Sequence, residues 1–119
     1  MIKGTGIDIV EMEKFTKIKN DNDFIKQILT SDEISNLTSK NMCEVQIATV
    51  FAIKEAVLKA LGWGLTFGTY WQEINVADDF QVSLTGNLKK RADEIKVSKI
   101  HSSYSYSKNY LTAFVLLEG

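Results

Sequence analysis

Residues 42–61, "MCEVQIATVFAIKEAVLKAL", carry the longest helical pattern in this chain of 119 residues, and Gly62 directly after them is a typical helix terminator. The segment has almost no polar face, because apolar side chains recur on nearly every side of it: Phe51, Ala52, Ala56, Leu58, Ala60 and Leu61. A helix of this kind lies in a protein core. Together with the chain length, it predicts a single domain over residues 1–119.

The remaining segments predict short strands and helices on both sides of the long helix. The stretch "IKGTGIDIVEM" indicates a first strand, in which Gly4 and Gly6 allow close backbone approach. Next, "EKFTKIKNDNDFIKQILT" predicts one or two short helices broken near "NDND", and "TSDEISNLTS" predicts another with Thr30 or Ser31 as its N-cap. After the long helix and an aromatic, glycine-rich loop come a hairpin ("QEINVAD", "FQVSLTG"), an amphipathic helix ("NLKKRADEIKV") and two strands ("SKIHSSYSYS", "YLTAFVLLE"). This order predicts the α+β class, with a small antiparallel sheet packed against one long helix and several short helices.

Composition narrows the possible partners and metals. A formal charge of -1 gives no general attraction to nucleic acid or to an anionic membrane. No stretch approaches the roughly 18 apolar residues of a membrane span, and no signal peptide is evident at the start, so we expect a cytoplasmic protein. Cys43 and His101 are the single cysteine and histidine, which excludes metal sites built from several such ligands. A metal would be held mainly by oxygen, which favours Mg²⁺, Mn²⁺ or Ca²⁺.

The long helix carries charges that its apolar surroundings make unusual. Glu55 and Lys59 are four residues apart and share one face, whereas Lys54 points about 100° away from Glu55 around the axis. A surface ion pair between Glu55 and Lys59, worth at most ~0.5 kcal/mol, is one interpretation. The other places the two residues at the edge of a groove, in a chemical role.

Asp8 raises the same choice, because it lies between two isoleucines in the first predicted strand. It is either a solvated carboxylate at a strand end or edge, or a metal ligand. A Mg²⁺ site uses one or two carboxylates with water and substrate phosphates, and Asp8 and Glu55 would meet that need.

The segment "HSSYSYS" places His101, Ser103 and Ser105 on one face of a strand and Tyr104 and Tyr106 on the other. A lone histidine is more often structural than catalytic, although two hydroxyls on its face suit phosphate oxygens. Together with Asp8 and Glu55, these residues suggest a Mg²⁺-dependent phosphate-transfer site.

Three stretches in order, "GTGIDIVEMEKF", "FAIKEAVLKALGWG" and "IHSSYSYSKNYLTAFVLLE", resemble holo-acyl-carrier-protein synthase, the small bacterial type of 4′-phosphopantetheinyl transferase. The resemblance implies transfer of the phosphopantetheine arm of coenzyme A to a serine of apo acyl carrier protein. It implies Asp8 and Glu55 as ligands of Mg²⁺ (or Mn²⁺), with Lys59 on the coenzyme A diphosphate. It also implies ligand contacts from the following residues: Lys54, Gly62, Gly64, His101 and Ser103.

The resemblance further implies a homotrimer with each site between two subunits. Acyl carrier proteins are acidic, so a basic surface should receive them, and the candidates are Lys14, Lys17, Lys19 and Lys26. A solvated helix face is the competing interpretation of Lys17 and Lys19.

Some positions depart from the family pattern: Val50 replaces a usual arginine, Trp63 a small residue and Tyr106 a histidine or acid. They leave open a binding module that holds carrier protein or coenzyme A without efficient transfer. An unrelated α+β interaction protein is the third alternative.

Overall fold

The computed structural model describes residues 1–62 and 70–119 and has the predicted order of strands and helices. The elements are β1 (Ile2–Glu11), α1 (Met12–Ile18), α2 (Asn22–Ile28), α3 (Ser31–Thr38), α4 (Glu44–Ala60), a one-turn 3-10 helix (Trp71–Glu73, "the 3-10 turn"), β2 (Ile74–Val76), β3 (Val82–Leu84), α5 (Gly86–Glu94), β4 (Lys99–Tyr106) and β5 (Tyr110–Glu118). The predicted α+β class, with small antiparallel sheets beside one long helix, is confirmed. Most of the predicted aromatic loop after Gly62 lies outside the described residues.

The main sheet has the strand order β1-β5-β4, and both pairings are antiparallel. Directly paired residues share a face, so the register divides the sheet into an inner face, which packs against α4, and an outer face. Asp8 and Tyr104 both pair with the buried Ala113 and therefore lie on the inner face. Ile7 and Ser103 both pair with Phe114 on the outer face.

β1 and α4 touch through two glycines. A Cβ atom added at Gly6 would lie 2.0 Å from the carbonyl oxygen of Ala56, and one added at Gly4 would lie 2.2 Å from that of Ala60. Any side chain would therefore push the helix away from the strand. The close backbone approach expected from these glycines is confirmed.

Two helix ends are fixed as the sequence predicts. Thr30 Oγ1 accepts a hydrogen bond from Glu33 N (3.1 Å), and Glu33 Oε1 accepts one from Thr30 N (2.8 Å). These two reciprocal bonds form a capping box at the start of α3. α4 ends at Ala60, and Gly62 follows with a φ of +81°, a conformation that glycine adopts without strain. Over residues 1–62 and 70–119, no helix combines the length and apolar character that crossing a membrane requires.

Candidate functional site

Asp8 and Lys59 meet where α4 crosses β1. Lys59 Nζ donates to Asp8 Oδ1 at 2.8 Å and to the carbonyl oxygen of Ile7 at 3.0 Å. The strand presents Asp8 on its inner face, and the glycine contact brings the helix close enough for the lysine to reach it. The ion pair that the spacing suggested between Glu55 and Lys59 is thus replaced by a longer-range pair with Asp8.

Glu55 lies beside this pair, half-buried between α4 and the 3-10 turn. Its Oε1 accepts a hydrogen bond from Trp71 Nε1 at 2.8 Å. Burial raises the pKa of the Glu55 carboxyl; the Trp71 bond opposes that shift, the negative charge of Asp8 adds to it, and Lys59 opposes it. The two carboxylates repel each other, and a bound cation would relieve this repulsion.

Asp8 and Glu55 open into one cleft of about 500 Å³. Most of its lining residues are apolar or aromatic, and one of them is a lysine, Lys14. The lining residues are Asp8, Ile9, Val10, Glu11, Lys14, Phe15, Ile18, Phe24, Phe51, Glu55 and Tyr110. A concave, mostly apolar surface with a few convergent polar groups is the usual form of a small-molecule site.

The donor set fits a hard divalent cation. Mg²⁺ is typically bound by one or two carboxylates and completes its shell with water and substrate phosphates. Asp8 and Glu55 supply two carboxylates at one cleft. Among residues 1–62 and 70–119, no group of three or more His, Cys, Asp and Glu side chains could enclose a metal ion without such help.

Lys54 has a different environment from the one the resemblance implies. Its side chain is fully buried, and Nζ contacts Glu33 Oε1 at 2.7 Å, the carbonyl oxygen of Ile28 at 2.6 Å and that of Trp71 at 3.0 Å. The ammonium group is therefore enclosed by protein oxygens and does not face the cleft. This placement corrects the expectation of direct ligand contact and gives Lys54 a structural role.

His101 and Ser103 lie on the outer face of the sheet, on the side opposite to Asp8. His101 Nε2 is 2.9 Å from Glu118 Oε1, and both side chains are exposed. The predicted sharing of one face by His101 and Ser103 holds, but one subunit does not bring them to Asp8 and Glu55.

Of the other predicted positions, Val50 lies on α4, Tyr106 lies on β4 and Gly62 follows α4. Gly62 ends the helix, while Gly64 and Trp63 lie outside the described residues. Val50 is buried, and Tyr106 is exposed and stacks against Tyr104, with ring centroids 6.5 Å apart.

Sequence reasoning missed two residues that contact the charged positions of α4. Glu33 is more than a cap, because it also pairs with Lys54, and a lysine buried in an apolar helix is a signal that such a partner exists. Trp71 bonds Glu55, and no local pattern indicates that contact.

Comparison with known proteins shows the family of this chain. Residues 4–115 match the model of the 4′-phosphopantetheinyl transferase superfamily. The holo-[acyl-carrier-protein] synthase of Caldicellulosiruptor saccharolyticus is 36% identical, covering 99% of this chain and 98% of its own. The crystal structure of holo-ACP-synthase from Plasmodium yoelii has a TM-score of 0.81 at 30% identity, covering 98% of this chain and 94% of its own. The Helicobacter pylori holo-[acyl-carrier-protein] synthase, solved in complex with coenzyme A, has a TM-score of 0.75 at 25% identity, covering 96% and 99%. With the family model matching nearly the whole chain and relatives matching along their full length, this chain belongs to the 4′-phosphopantetheinyl transferase superfamily, as an enzyme of the holo-acyl-carrier-protein synthase type.

Proposed function

We propose that this chain transfers the 4′-phosphopantetheine group of coenzyme A to a serine hydroxyl of apo acyl carrier protein. The reaction depends on Mg²⁺, for which Mn²⁺ can substitute, and releases adenosine 3′,5′-bisphosphate. The observation that carries the proposal is that Asp8 and Glu55 line one cleft, with Lys59 bonded to Asp8, in a member of this family. The coenzyme A complex of the Helicobacter pylori relative supports coenzyme A as the substrate.

Asp8 and Glu55 would hold the metal, and Lys59 would contact the diphosphate. When bound, Mg²⁺ neutralises diphosphate charge and draws electron density from the phosphorus. Lys59 is exposed enough to exchange part of its contact with Asp8 for a phosphate oxygen, where its charge stabilises the transition state. The serine oxygen forms the new bond to phosphorus as the bond to the adenosine bisphosphate breaks. Glu55 is a candidate acceptor of the serine proton, although its role as ligand ranks first, because metal binding weakens a carboxylate as a base.

His101 and Ser103 act from a neighbouring subunit. They lie on the outer face, which also exposes apolar side chains, with 62% of Ile7, 63% of Ile9 and 41% of Phe114 accessible. Adjacent exposed apolar residues of this size mark an association surface. In the proposed homotrimer this face is covered, and each site combines Asp8 and Glu55 of one subunit with His101 and Ser103 of the next.

The carrier protein approaches the cleft along α1. Lys14 lines the cleft at its α1 side, and Lys17 and Lys26 are exposed on α1 and α2. These lysines would steer an acidic partner toward the bound coenzyme A. The reaction takes place in the cytoplasm, a reducing compartment in which disulfides are rare. This fits a chain whose single cysteine cannot form an intramolecular disulfide.

A single assay tests the transfer. The protein is mixed with apo acyl carrier protein, coenzyme A and Mg²⁺, and the carrier is weighed by mass spectrometry. The expected result is a carrier heavier by one phosphopantetheine group, with no gain after chelation of the metal or in the Asp8→Ala and Glu55→Ala variants. Transfer by either variant at the wild-type rate would refute the metal site. Failure of the wild type with several carriers, despite retained coenzyme A binding, would favour the binding module.

A further inference from the structure

The 3-10 turn lies between α4 and the carboxyl end of α2, and Trp71 points from it toward the metal site. Trp71 Nε1 donates to Glu55 Oε1 at 2.8 Å, a hydrogen bond to a charged acceptor. The bond takes one of the two carboxylate oxygens. It leaves Oε2 of Glu55 as the oxygen that a metal can take without breaking it.

The 3-10 turn is held from three directions, once through its backbone and twice through its side chains. Lys54 Nζ donates to the carbonyl oxygen of Trp71 at 3.0 Å. Gln72 Nε2 donates to the carbonyl oxygens of Leu29 (2.6 Å) and Lys26 (2.7 Å) near the end of α2. Glu73 Oε1 accepts from Leu88 N of α5 at 2.9 Å. Three consecutive residues thus tie the turn to α4, α2 and α5, so the Cα position of Trp71 is well fixed.

The indole ring of Trp71 is also held in place by two neighbouring aromatic rings. Its centroid is 5.7 Å from that of Phe51 and 6.3 Å from that of Phe24, both tilted contacts of the kind that aromatic rings prefer. Phe51 and Phe24 in turn line the cleft. A ring held by its backbone and by two neighbours can serve as a rigid donor.

We propose that Trp71 is a positioning residue, whose indole N–H holds the Glu55 carboxylate in the orientation that binds the metal. This inference rests on the proposed function. Glutamate has three rotatable bonds, so fixing one oxygen beforehand removes ordering that metal binding would otherwise require. Hydrogen-bond partners of metal ligands act in this way in other metal sites.

The decisive variant is Trp71→Phe, which removes the N–H donor and keeps an aromatic ring against Phe51 and Phe24. We expect Mn²⁺ affinity, measured by electron paramagnetic resonance in the presence of coenzyme A, to fall on the order of tenfold. The Mg²⁺ concentration for half-maximal activity should rise by a similar factor, while kcat at saturating Mg²⁺ stays near the wild-type value. A merely structural role would lower kcat or the melting temperature without moving the metal dependence.

Val97→Ala is the matched control, because Val97 packs against the core away from the cleft. It should lower the melting temperature and leave the Mn²⁺ affinity unchanged. Wild-type Mn²⁺ affinity in a folded Trp71→Phe protein would overturn the inference, and so would an equal loss in Val97→Ala. A wild-type protein that neither binds Mn²⁺ with coenzyme A nor transfers phosphopantetheine would instead overturn the proposed function, and this inference with it.

Discussion

Lys59 Nζ lies 2.8 Å from Asp8 Oδ1, although the two residues are 51 positions apart in the chain. The pair joins α4 to β1 at the cleft where Glu55 also lies. The lysine side chain is 45% exposed and the aspartate 14%, so solvent screens the pair and its contribution to stability is small. Its importance is therefore expected in catalysis.

Lys59→Met should separate these two effects. Activity should fall roughly 100-fold, because the proposed function requires this charge on the reacting phosphate. The free energy of unfolding should change by about 1 kcal/mol or less, as for other exposed ion pairs. Steady-state transfer rates and chemical denaturation measure the two quantities. Lys89→Met, which breaks the exposed Lys89–Asp93 pair of α5, is the control and should change neither quantity appreciably.

The carboxyl group of Glu55 predicts a pH dependence of stability in the metal-free protein. Burial raises its pKa above the ordinary value of 4.5, so the folded protein holds this proton more tightly than the unfolded chain does. The stabilising contribution is therefore complete below pH 4.5 and is lost as the pH rises through the raised pKa. Glu55→Gln cannot lose a proton, and its melting temperature in chelator should exceed that of the wild type at neutral pH.

The difference between Glu55→Gln and the wild type should disappear below pH 4.5, where the Glu55 carboxyl is protonated in both the folded protein and the unfolded chain. A difference in melting temperature that stays constant across this pH range would contradict the raised pKa of Glu55.

The buried ion pair of Lys54 and Glu33 predicts a structural defect. Lys54→Met leaves the Glu33 carboxylate buried without its cation, which should destabilise the fold by about 3–5 kcal/mol. Chemical denaturation measures the loss. Lys54→Met combined with Glu33→Gln should lose less than the single Lys54→Met change, because no unpaired charge then stays buried. Equal stability of Lys54→Met and the wild type would show that the pair contributes nothing.

The proposed sharing of the site between subunits predicts complementation. Asp8→Ala and His101→Ala should each be inactive alone. When the two are co-expressed, about one site in four of a randomly mixed cyclic trimer combines an intact Asp8 with an intact His101. Transfer activity of the purified mixture should therefore recover partly. Asp8→Ala mixed with Glu55→Ala is the control, since both residues belong to the same half of the site, and recovery there would contradict the arrangement.

The charge on Lys14 should affect the binding of the carrier protein more than the binding of coenzyme A. Lys14→Glu should raise the KM for acyl carrier protein roughly tenfold and weaken its salt dependence, because steering by the cleft is reversed. The KM for coenzyme A should stay close to the wild-type value. Lys90→Glu, an equal charge change at an exposed position of α5 outside the cleft, serves as the control. Matching effects of the two variants would mean that only total charge matters.

Local patterns predicted much of the fold and part of the site. The alternation in β1 and the apolar run of α4 are local, so the positions of Asp8, Glu55 and Lys59 on their elements follow from the sequence. The capping signal at Thr30 is equally local and marks the start of α3.

Contacts between distant elements could not be predicted in the same way. Burial of Lys54 requires an anionic partner, but nothing in the sequence selects Glu33 among the fifteen acidic residues. Alternation places His101 with Ser103, whereas the face that they share is decided by pairing with β5. The bond from Trp71 to Glu55 depends on where the 3-10 turn packs, which no periodic pattern encodes.

Gly4 and Gly6 let the strand and the helix meet backbone to backbone. The span that Lys59 must cross to reach Asp8 is consequently set by two positions with no side chain of their own. A single methyl group at position 6 would push α4 away from β1. It would thereby increase the distance between Asp8 on β1 and Glu55 on α4. The lack of a side chain at these two positions is thus a requirement of the proposed metal site as much as of packing in the core.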